Sequence, residues 1–484
     1  MNNDAFLRHH GLSANPFRGE EARQDIIFER IESDCRHPDF DKILGDLDHP
    51  SSSVVFGERG SGKTAIRLQI ERILKERDMA LDGGPRIWMV AYDDFNDLIA
   101  RFMRTVDDDS PQTALREVEL VDHMDGIMIR TVPTIVDSLL RDRADAATFG
   151  KPSDVRKSLR SLPEETRRRI LALQFCYDRP GAVGQRARRL KSLLRVPGSA
   201  GIWAAKAWTL FLLFIALGWA ILAFMQADAY GVSQEIALIP AGLLLLGAAY
   251  FGLAKWAAGA RRLWLKARRL ARSIRVDDRD ANTFQEALGL VPFGFQTQRD
   301  LPIDEGDAAR YAMFDALVDL LDAVGYSSMM VLVDRLDEPT AINGDAQRMK
   351  AFIWPMFNNK FLQMRGVGFK LLLPLELRGE ILREREDFFR EARLDKQHMI
   401  ERLQWSGAML YDLCNARYRA CLARNADKGP DANMMALFED NVNRQDVVDA
   451  LDQLQQPRDA FKFLYAVVQE HCSNTTAEDG DFQI

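Results

Sequence analysis

The sequence predicts an α/β protein built on a parallel β-sheet. Short apolar runs alternate with longer segments of helical periodicity, and two of these runs end in residue types that bind ligands. The runs at 53–56, 86–92, 328–333 and 367–373 each have the length of a strand, and helical segments separate them. Strands and helices that alternate in this way form a parallel sheet covered by helices on both faces.

The first apolar run leads into a glycine-rich loop. Residues 53–64 read Ser-Val-Val-Phe-Gly-Glu-Arg-Gly-Ser-Gly-Lys-Thr, and the following segment places Ile66, Ile70 and Ile73 on one helical face. A strand, a G-x-x-x-x-G-K-T loop and a helix together form the P-loop, or Walker A, arrangement. A plain glycine turn before a helix is the alternative interpretation, and the flanking strand and helix favour the P-loop.

Each residue type in this loop has a physical role in binding a nucleoside triphosphate. Glycines allow left-handed backbone turns that point N–H groups at phosphate oxygens, and the helix N-terminus adds its positive dipole end. Lys63 would reach the β- and γ-phosphates, and the Thr64 hydroxyl would bind Mg²⁺. The predicted ATP-binding residues are Gly57, Glu58, Arg59, Gly60, Ser61, Gly62, Lys63 and Thr64.

The third apolar run ends in acidic residues. Asp334, Asp337 and Glu338 follow it directly, and open parallel sheets bind ligands at the carboxyl edge of their strands. We predict Asp334 as the Walker B carboxylate, which binds Mg²⁺ together with Thr64. Asp337 or Glu338 would orient or deprotonate the attacking water. The alternative is a capped turn after a strand, which the upstream P-loop disfavours.

Several residues outside these motifs are candidates for additional contacts with the nucleotide. Glu376 or Arg378, after the fourth run, could lie near the γ-phosphate. Pro16-Phe17 could form a wall for the adenine ring, or simply an N-terminal turn. The candidates for arginine fingers acting in trans within an oligomer are Arg378, Arg383 and Arg385.

Two long uncharged runs lie between the two motifs. Residues 207–225 and 236–254 contain no charged side chain, and each is about as long as a span of the ~30 Å hydrocarbon core. Basic residues without Asp or Glu flank both runs, which places both flanks in the cytoplasm. The sequence therefore predicts a two-helix transmembrane hairpin in the cytoplasmic (inner) membrane, with the catalytic domain and both termini in the cytoplasm. A buried hairpin in a soluble core is the alternative.

The basic segment after the second run is amphipathic. Leu263, Ala267, Leu270 and Ile274 fall on one helical stripe with arginines around it. This pattern predicts a helix that lies at the membrane surface against anionic lipid. A nucleic-acid patch is the competing interpretation of the same arginines, and their position beside two apolar runs favours lipid.

Composition limits the classes of function. The chain has 484 residues, of which 28% are charged, and a net charge of −7 gives no overall attraction for nucleic acid. The five cysteines are scattered without a C-x-x-C pair, which is typical of reduced thiols in a cytosol. The first residues lack the apolar core of a signal peptide.

These motifs resemble those of known ATPase families. Residues 331–338 are similar to the Walker B segment of NACHT and other STAND ATPases, although Arg335 stands where that family usually has a small residue. A transmembrane hairpin between Walker A and Walker B resembles the KAP family of P-loop NTPases. Pro457-Arg458 resembles the helical lid of STAND and origin-recognition-type AAA ATPases, whose arginine senses the γ-phosphate. Here Gln456 replaces the usual preceding glycine.

The resemblance implies an AAA/STAND-like P-loop NTPase that binds ATP and Mg²⁺ and hydrolyses ATP to ADP and phosphate. It implies catalytic roles for Asp337, Glu338 and Arg458, and a nucleotide-driven switch or homo-oligomeric assembly at the cytoplasmic membrane face. A regulatory role such as anti-phage defence would follow. The alternative is a DNA-associated AAA ATPase of the origin-recognition or transposition kind. A transporter is disfavoured because the apolar runs carry no charged residue.

The predicted domain organisation follows the order of these features. It comprises an N-terminal segment (1–50), the first part of the NTPase core with a helical insertion (51–180), the hairpin with basic flanks (181–275), the second part of the core with Walker B (276–400) and a C-terminal helical lid (401–484).

Overall fold

A computed structural model of the chain divides into two compact units. The sheet unit comprises Met1–Asn96, Ser110–Val118 and Gly325–Ile484, and the helical unit comprises Asp97–Asp109 and Glu119–Val324. The structure describes residues 3–18, 22–31, 35–80, 86–106, 110–142, 149–179, 183–196, 200–226, 234–250, 252, 256–289, 301–303, 306–383, 398–423, 432–475 and 482–484.

The sheet unit contains a five-stranded parallel sheet, which confirms the predicted α/β class. The strands are β1 Ser53–Gly57, β2 Arg86–Tyr92, β3 Tyr326–Val333, β4 Val367–Pro374 and β5 His398–Ile400. Their order across the sheet is β2-β3-β4-β1-β5, and every neighbouring pair runs parallel. All strands therefore present their carboxyl ends at one edge. The sequence did not predict β5, because three residues carry too little pattern.

The described helices are numbered along the chain. They are α1 Asn3–His9, α2 Phe40–Leu44, α3 Lys63–Ala80, α4 Asn96–Val106, α5 Pro111–Ala114, α6 Leu120–Leu140, α7 Pro152–Ser161, α8 Glu164–Tyr177, α9 Val183–Leu194, α10 Ala200–Gln226, α11 Gln234–Ala249, α12 Trp256–Ser273, α13 Ala281–Leu288, α14 Ala308–Ala323, α15 Ala346–Ile353, α16 Asn359–Leu362, α17 Leu375–Leu382, α18 Gly407–Ala420, α19 Arg444–Asp452 and α20 Pro457–Asn474. Short 3-10 helices cover Phe28–Arg30, Leu115–Glu117, Trp354–Met356 and Met434–Leu437.

Helix α3 is fixed to the sheet by its apolar stripe. Ile66, Ile70 and Leu74, spaced four residues apart, are buried in one cluster with Val55 of β1 and Leu372 of β4. Burial of an Ile or Leu side chain stabilises a fold by about 1.5–3 kcal/mol. This packing holds the start of α3, and thus the loop before it, against the carboxyl end of β1.

A second core joins the N-terminal segment to the C-terminal helices of the sheet unit. Phe6 and Phe17 are buried in one cluster with Tyr411 and Tyr418 of α18 and Leu464 of α20. The two segments therefore pack as one body, although more than 380 positions separate them.

The helical unit has a buried polar centre. Arg310 of α14 donates to both carboxylate oxygens of Asp125 on α6, and Tyr177 of α8 donates to the same carboxylate at 2.7 Å. Both charged side chains are fully buried. Removal of one partner of a buried pair costs about 3–5 kcal/mol, because the other charge is left uncompensated. This pair therefore fixes α6 against α14.

The two apolar runs fall on α10 and α11, which pack against each other. The large apolar side chains exposed on these helices are Trp208, Leu210, Phe211, Leu213, Phe214, Leu217, Trp219, Ile221, Leu222, Ile239, Leu243, Leu245, Leu246 and Tyr250. Among the described residues, no helix has both the length and the apolar character that crossing a membrane requires. The transmembrane hairpin is therefore unsupported here, and positions 227–233, between the two runs, lie outside the described residues.

The buried side chain of Lys370 should make the stability of the protein increase with pH above neutrality. Burial in β4 lowers its pKa from 10.5 to about 7, and its Nζ donates to the Ser51 carbonyl at 2.8 Å. Between these two pKa values the unfolded chain binds more protons than the folded one, so the free energy of unfolding rises with pH across that window. We expect Lys370→Met to abolish this rise and to be more stable than wild type near pH 7, as measured by urea unfolding.

Lys360→Met, at an exposed position of α16, is the matched control and should leave the slope unchanged. An unaltered pH profile in Lys370→Met would contradict the assignment.

Candidate functional site

The glycine loop between β1 and α3 requires its glycines for two different reasons. Gly60 and Gly62 have φ values of +97° and +95°, in the left-handed region that favours glycine. Gly57 was expected to serve the same purpose, but its φ is not positive. A Cβ at Gly57 would lie 2.4 Å from Ser61 Oγ, so close packing is what demands glycine there.

The two nucleotide motifs meet at the carboxyl edge of the sheet. Thr64 Oγ1 donates a hydrogen bond of 2.9 Å to Oδ2 of Asp334, across 270 positions of sequence. Asp334 is only 1% exposed, and burial raises its pKa above the ordinary value. The hydrogen bond from Thr64 and the charge of Arg67 act in the opposite direction. A buried carboxylate beside a hydroxyl is a suitable pair of Mg²⁺ ligands.

Arg67 supports this carboxylate, and sequence reasoning missed it. Its Nε lies 3.8 Å from Asp334 Oδ2, and its Nη1 donates to Asp93 Oδ2 at 2.8 Å. Arg23 pairs with the same Asp93 oxygen. The available signal was spacing, because Arg67 follows Thr64 by three residues on one helix and Asp93 directly follows β2.

Lys63 is held by its own loop. Its Nζ donates to the carbonyl oxygens of Gly57 at 2.6 Å and Glu58 at 2.9 Å. Burial lowers the pKa of Lys63, and the carboxylates of Asp334 and Asp337 counteract this shift. The ammonium group is thus partly desolvated, which strengthens its attraction for a phosphate that enters the loop.

The structure distinguishes the two candidate carboxylates for positioning water. Asp337 acts electrostatically on Lys63 and lines the same cavity. Glu338 also lines the cavity, but both of its oxygens pair with Arg335, each at 2.6 Å. Arg335 has φ +63°, an unfavourable value for arginine, and its N–H donates to Asp334 at 2.9 Å. Of the two, Asp337 is therefore the carboxylate that is not paired with Arg335.

The C-terminal segment contacts the acidic side chain of the glycine loop, Glu58. Gln456 Nε2 donates to Glu58 Oε2, and Arg402 Nη2 donates to Glu58 Oε1 at 2.6 Å. Gln456 is the residue that replaces the glycine expected from the family resemblance, and this contact gives it a specific partner.

Two further contacts join the same segment to the backbone of the loop. Trp405 Nε1 donates to the Ser61 carbonyl at 2.8 Å, and the N–H of Arg458 donates to the Gly60 carbonyl at 3.4 Å. A Cβ at Gly60 would lie 3.0 Å from Arg458 Cβ. The first turn of α20 therefore rests directly on the loop, and sequence reasoning located only Arg458.

Most of the residues predicted to bind nucleotide and Mg²⁺ line one cavity in the sheet unit. Those that line it are Arg59, Gly60, Gly62, Lys63, Thr64, Asp334, Asp337, Glu338 and Arg458. The carbonyl oxygens of Gly57 and Glu58 accept hydrogen bonds from Lys63, and Ser61 lies between Gly60 and Gly62 in the loop. Among the described residues, Ser61 Oγ and Arg458 Nε are buried without a hydrogen-bond partner. Orphaned polar atoms beside a glycine cradle and an ammonium group fit a bound polyphosphate.

The remaining candidates lie elsewhere or have other partners. Phe17 is packed in the C-terminal core, whereas Phe28 and Ile31, two large apolar residues of the N-terminal segment, line the cavity. Arg378 pairs with Glu401, and Arg383 pairs with Glu380. Glu376 acts electrostatically on Lys63, whereas Arg385 lies outside the described residues.

Asp334→Asn should stabilise the protein in the absence of nucleotide and Mg²⁺. Because burial raises the pKa of Asp334, wild type loses stability as pH rises from the ordinary value of this group toward its raised one. The uncharged amide lacks this cost. We expect a higher urea midpoint for Asp334→Asn at pH 7, with Asp337→Asn as the control from the same cavity. A lower midpoint than wild type would contradict the prediction.

Comparison with known proteins assigns no family to this chain. No protein-family model matches it, and searches among curated proteins and solved structures found no match. The resemblances noted from its motifs therefore stay predictions, and a functional proposal has to rest on the geometry of the site.

Proposed function

We propose that the sheet unit binds ATP with Mg²⁺ and hydrolyses it to ADP and phosphate. The observation that carries this proposal is the 2.9 Å hydrogen bond between Thr64 and Asp334 beneath the glycine loop. Thr64 lies in the first turn of α3 and Asp334 directly after β3, and the two converge on the place where a phosphate-bound metal would need an oxygen ligand from each. A turn without function would not require this convergence.

Different groups of the site would bind the phosphates, the metal ion and the base. Backbone N–H groups between Gly57 and Thr64 would cradle the β-phosphate, and Lys63 would exchange its two carbonyl partners for phosphate oxygens. Thr64 and Asp334 would hold Mg²⁺. When bound, Mg²⁺ supplies charge neutralisation on the phosphates. The apolar side chains Phe28 and Ile31 offer a surface for the base.

Asp337 is our candidate for orienting the attacking water. It lines the cavity and faces the charge of Lys63, whereas Glu338 is occupied by Arg335. A carboxylate beside the attacking water can accept a hydrogen bond from it and take its proton as the bond from water oxygen to the γ-phosphorus forms and the bond from that phosphorus to the bridging oxygen of ADP breaks.

The C-terminal helices would act as a lid that responds to the nucleotide. Arg458 has a buried Nε without a partner among the described residues, and a γ-phosphate oxygen would satisfy it. Because Gln456 and Trp405 also bind the loop, a change in the loop would reach α18 and α20. We propose that this coupling makes the protein an ATP-driven switch that assembles as a homo-oligomer.

We further propose that α10 and α11 anchor this switch at the cytoplasmic face of a membrane. Support comes from their exposed Trp, Phe, Leu and Ile side chains, which form a larger apolar surface than a monomeric soluble protein usually leaves in water. The basic residues that flank both helices in the sequence favour the cytoplasmic side.

Lys63→Ala should weaken ATP binding by about 10- to 100-fold, the value of a hydrogen bond to a charged group. Isothermal titration calorimetry with ATP and Mg²⁺ measures this change. Lys75→Ala, at an exposed site on the same helix, is the matched control and should bind as wild type does. Equal affinity of wild type and Lys63→Ala would refute nucleotide binding at this loop.

Asp337→Asn should lower the rate of ATP hydrolysis by about 100-fold or more while leaving ATP affinity nearly unchanged, because it removes the group that accepts the proton. Glu338→Gln should change the rate by less than about threefold, since its partly exposed pair with Arg335 contributes little. The readout is phosphate release at saturating ATP. The reverse order of the two variants would transfer the role to Glu338.

Deletion of residues 203–256 should move the protein from the membrane fraction to the soluble fraction of cells, with carbonate washing to remove peripheral material. Retention of ATP binding by the deleted protein shows that the sheet unit is intact. A full-length protein that is soluble at the outset would contradict the anchor and leave the nucleotide site untouched.

A further inference from the structure

Helix α12 turns its apolar stripe inward. The predicted membrane-facing stripe is Leu263, Ala267, Leu270 and Ile274, but Leu263 is half-buried and each of the other three is at most 1% exposed. The expectation that this stripe contacts a membrane is therefore wrong, because the helical unit itself covers it. Any partner of α12 must be recognised by the opposite face.

The opposite face is basic. Five arginines are exposed on it and fall, with two apolar residues, within about 160° of the helix circumference at 3.6 residues per turn. They are Arg261, Arg262, Arg268, Arg269 and Arg272. No Asp or Glu occurs anywhere in α12. We refer to this set of five as the arginine face.

The arginine face lacks the internal partners that other arginines of the helical unit have. Arg186, Arg275 and Arg310 each pair with at least one aspartate. Within the described part of the chain, none of the five makes an ion pair with a carboxylate. Five like charges on one helix repel one another weakly in water, and an anionic partner would relieve this repulsion.

Two apolar side chains lie among these arginines. Trp264 is 38% exposed and Leu265 is 43% exposed, and the guanidinium of Arg268 lies 5.4 Å from the Trp264 ring centroid. Tryptophan is enriched at the boundary between lipid and water, where arginine binds phosphate and the indole enters the head-group layer. A nucleic-acid phosphate backbone offers no apolar layer for Leu265.

We infer that the arginine face binds the head groups of anionic phospholipids. The partner is a membrane surface that contains phosphatidylglycerol-like lipid, held by electrostatic attraction with Trp264 and Leu265 in its interfacial layer. α12 directly follows the exposed apolar surface of α11, which would keep the face at the depth of the head groups. The inference is independent of nucleotide binding and also holds if α10 and α11 do not insert.

The test uses the full-length chain with a fluorescent reporter on α12. Leu265→Cys is labelled with NBD in a Cys35→Ser background, because Cys176, Cys414, Cys421 and Cys472 are buried. The labelled protein is titrated with preformed nanodiscs of phosphatidylcholine alone or with increasing phosphatidylglycerol, so that binding of α12 does not require insertion of α10 and α11. NBD emission shifts to the blue and brightens when the probe enters the lipid interface.

We expect the blue shift in phosphatidylglycerol discs, little shift in neutral discs and loss of the shift at high salt. Arg262→Gln/Arg269→Gln should weaken the interaction about 25-fold, at about fivefold per arginine. The matched control, Arg156→Gln/Lys157→Gln, removes the same charge from exposed positions of α7 and should shift as wild type does.

Three results would overturn the inference. One is the same emission in neutral and anionic discs, and another is equal behaviour of the α12 and α7 double variants. The third is a change in NBD emission when a DNA duplex is added in the presence of neutral discs, together with no change in phosphatidylglycerol discs. That result would assign the arginine face to nucleic acid. Carbonate extraction tests anchoring by α10 and α11 separately. Failure of the proposed anchor is therefore distinguishable from failure of lipid binding by α12.

Discussion

A carboxylate without access to water is the constraint on which the site depends. Asp334 is buried at the end of a strand in which every residue except Ser327 is buried, and the hydroxyl of the distant Thr64 donates a hydrogen bond to it. Such a group is costly as an isolated charge and becomes useful when a cation compensates it. The fold keeps it in place with Arg67, which in turn pairs with Asp93, so two strand ends and helix α3 contribute to one electrostatic balance.

The second organising feature is that the loop is in contact with the C-terminal segment of the sheet unit. Gln456, Arg402 and Trp405 all bind loop atoms, and Gly60 leaves room for the first turn of α20. The same loop backbone that would receive phosphate therefore already touches the C-terminal helices. A ligand can shift a conformational equilibrium only through contacts that differ between states, and these contacts are suited to that role.

Sequence alone predicted the elements that have continuous apolar pattern. Strands β1 to β4 and helix α3 follow from it, as does the convergence of Thr64 and Asp334, since parallel strands share one carboxyl edge. It missed the polar pairs Arg67–Asp93 and Gln456–Glu58, because isolated polar residues carry no periodicity and their partners depend on the fold. For α12 it found the apolar stripe but assigned the wrong surroundings, since periodicity defines a face and not what covers it.

The most direct test of the Thr64–Asp334 metal site is the Mg²⁺ dependence of ATP affinity in wild type, Thr64→Ala, Asp334→Asn and the double variant. If both side chains bind one ion, Mg²⁺ tightens binding in wild type, each single variant loses most of this gain, and the double variant loses no more. Independent, additive losses, or a gain from Mg²⁺ that persists in all variants, would contradict a shared metal–nucleotide site.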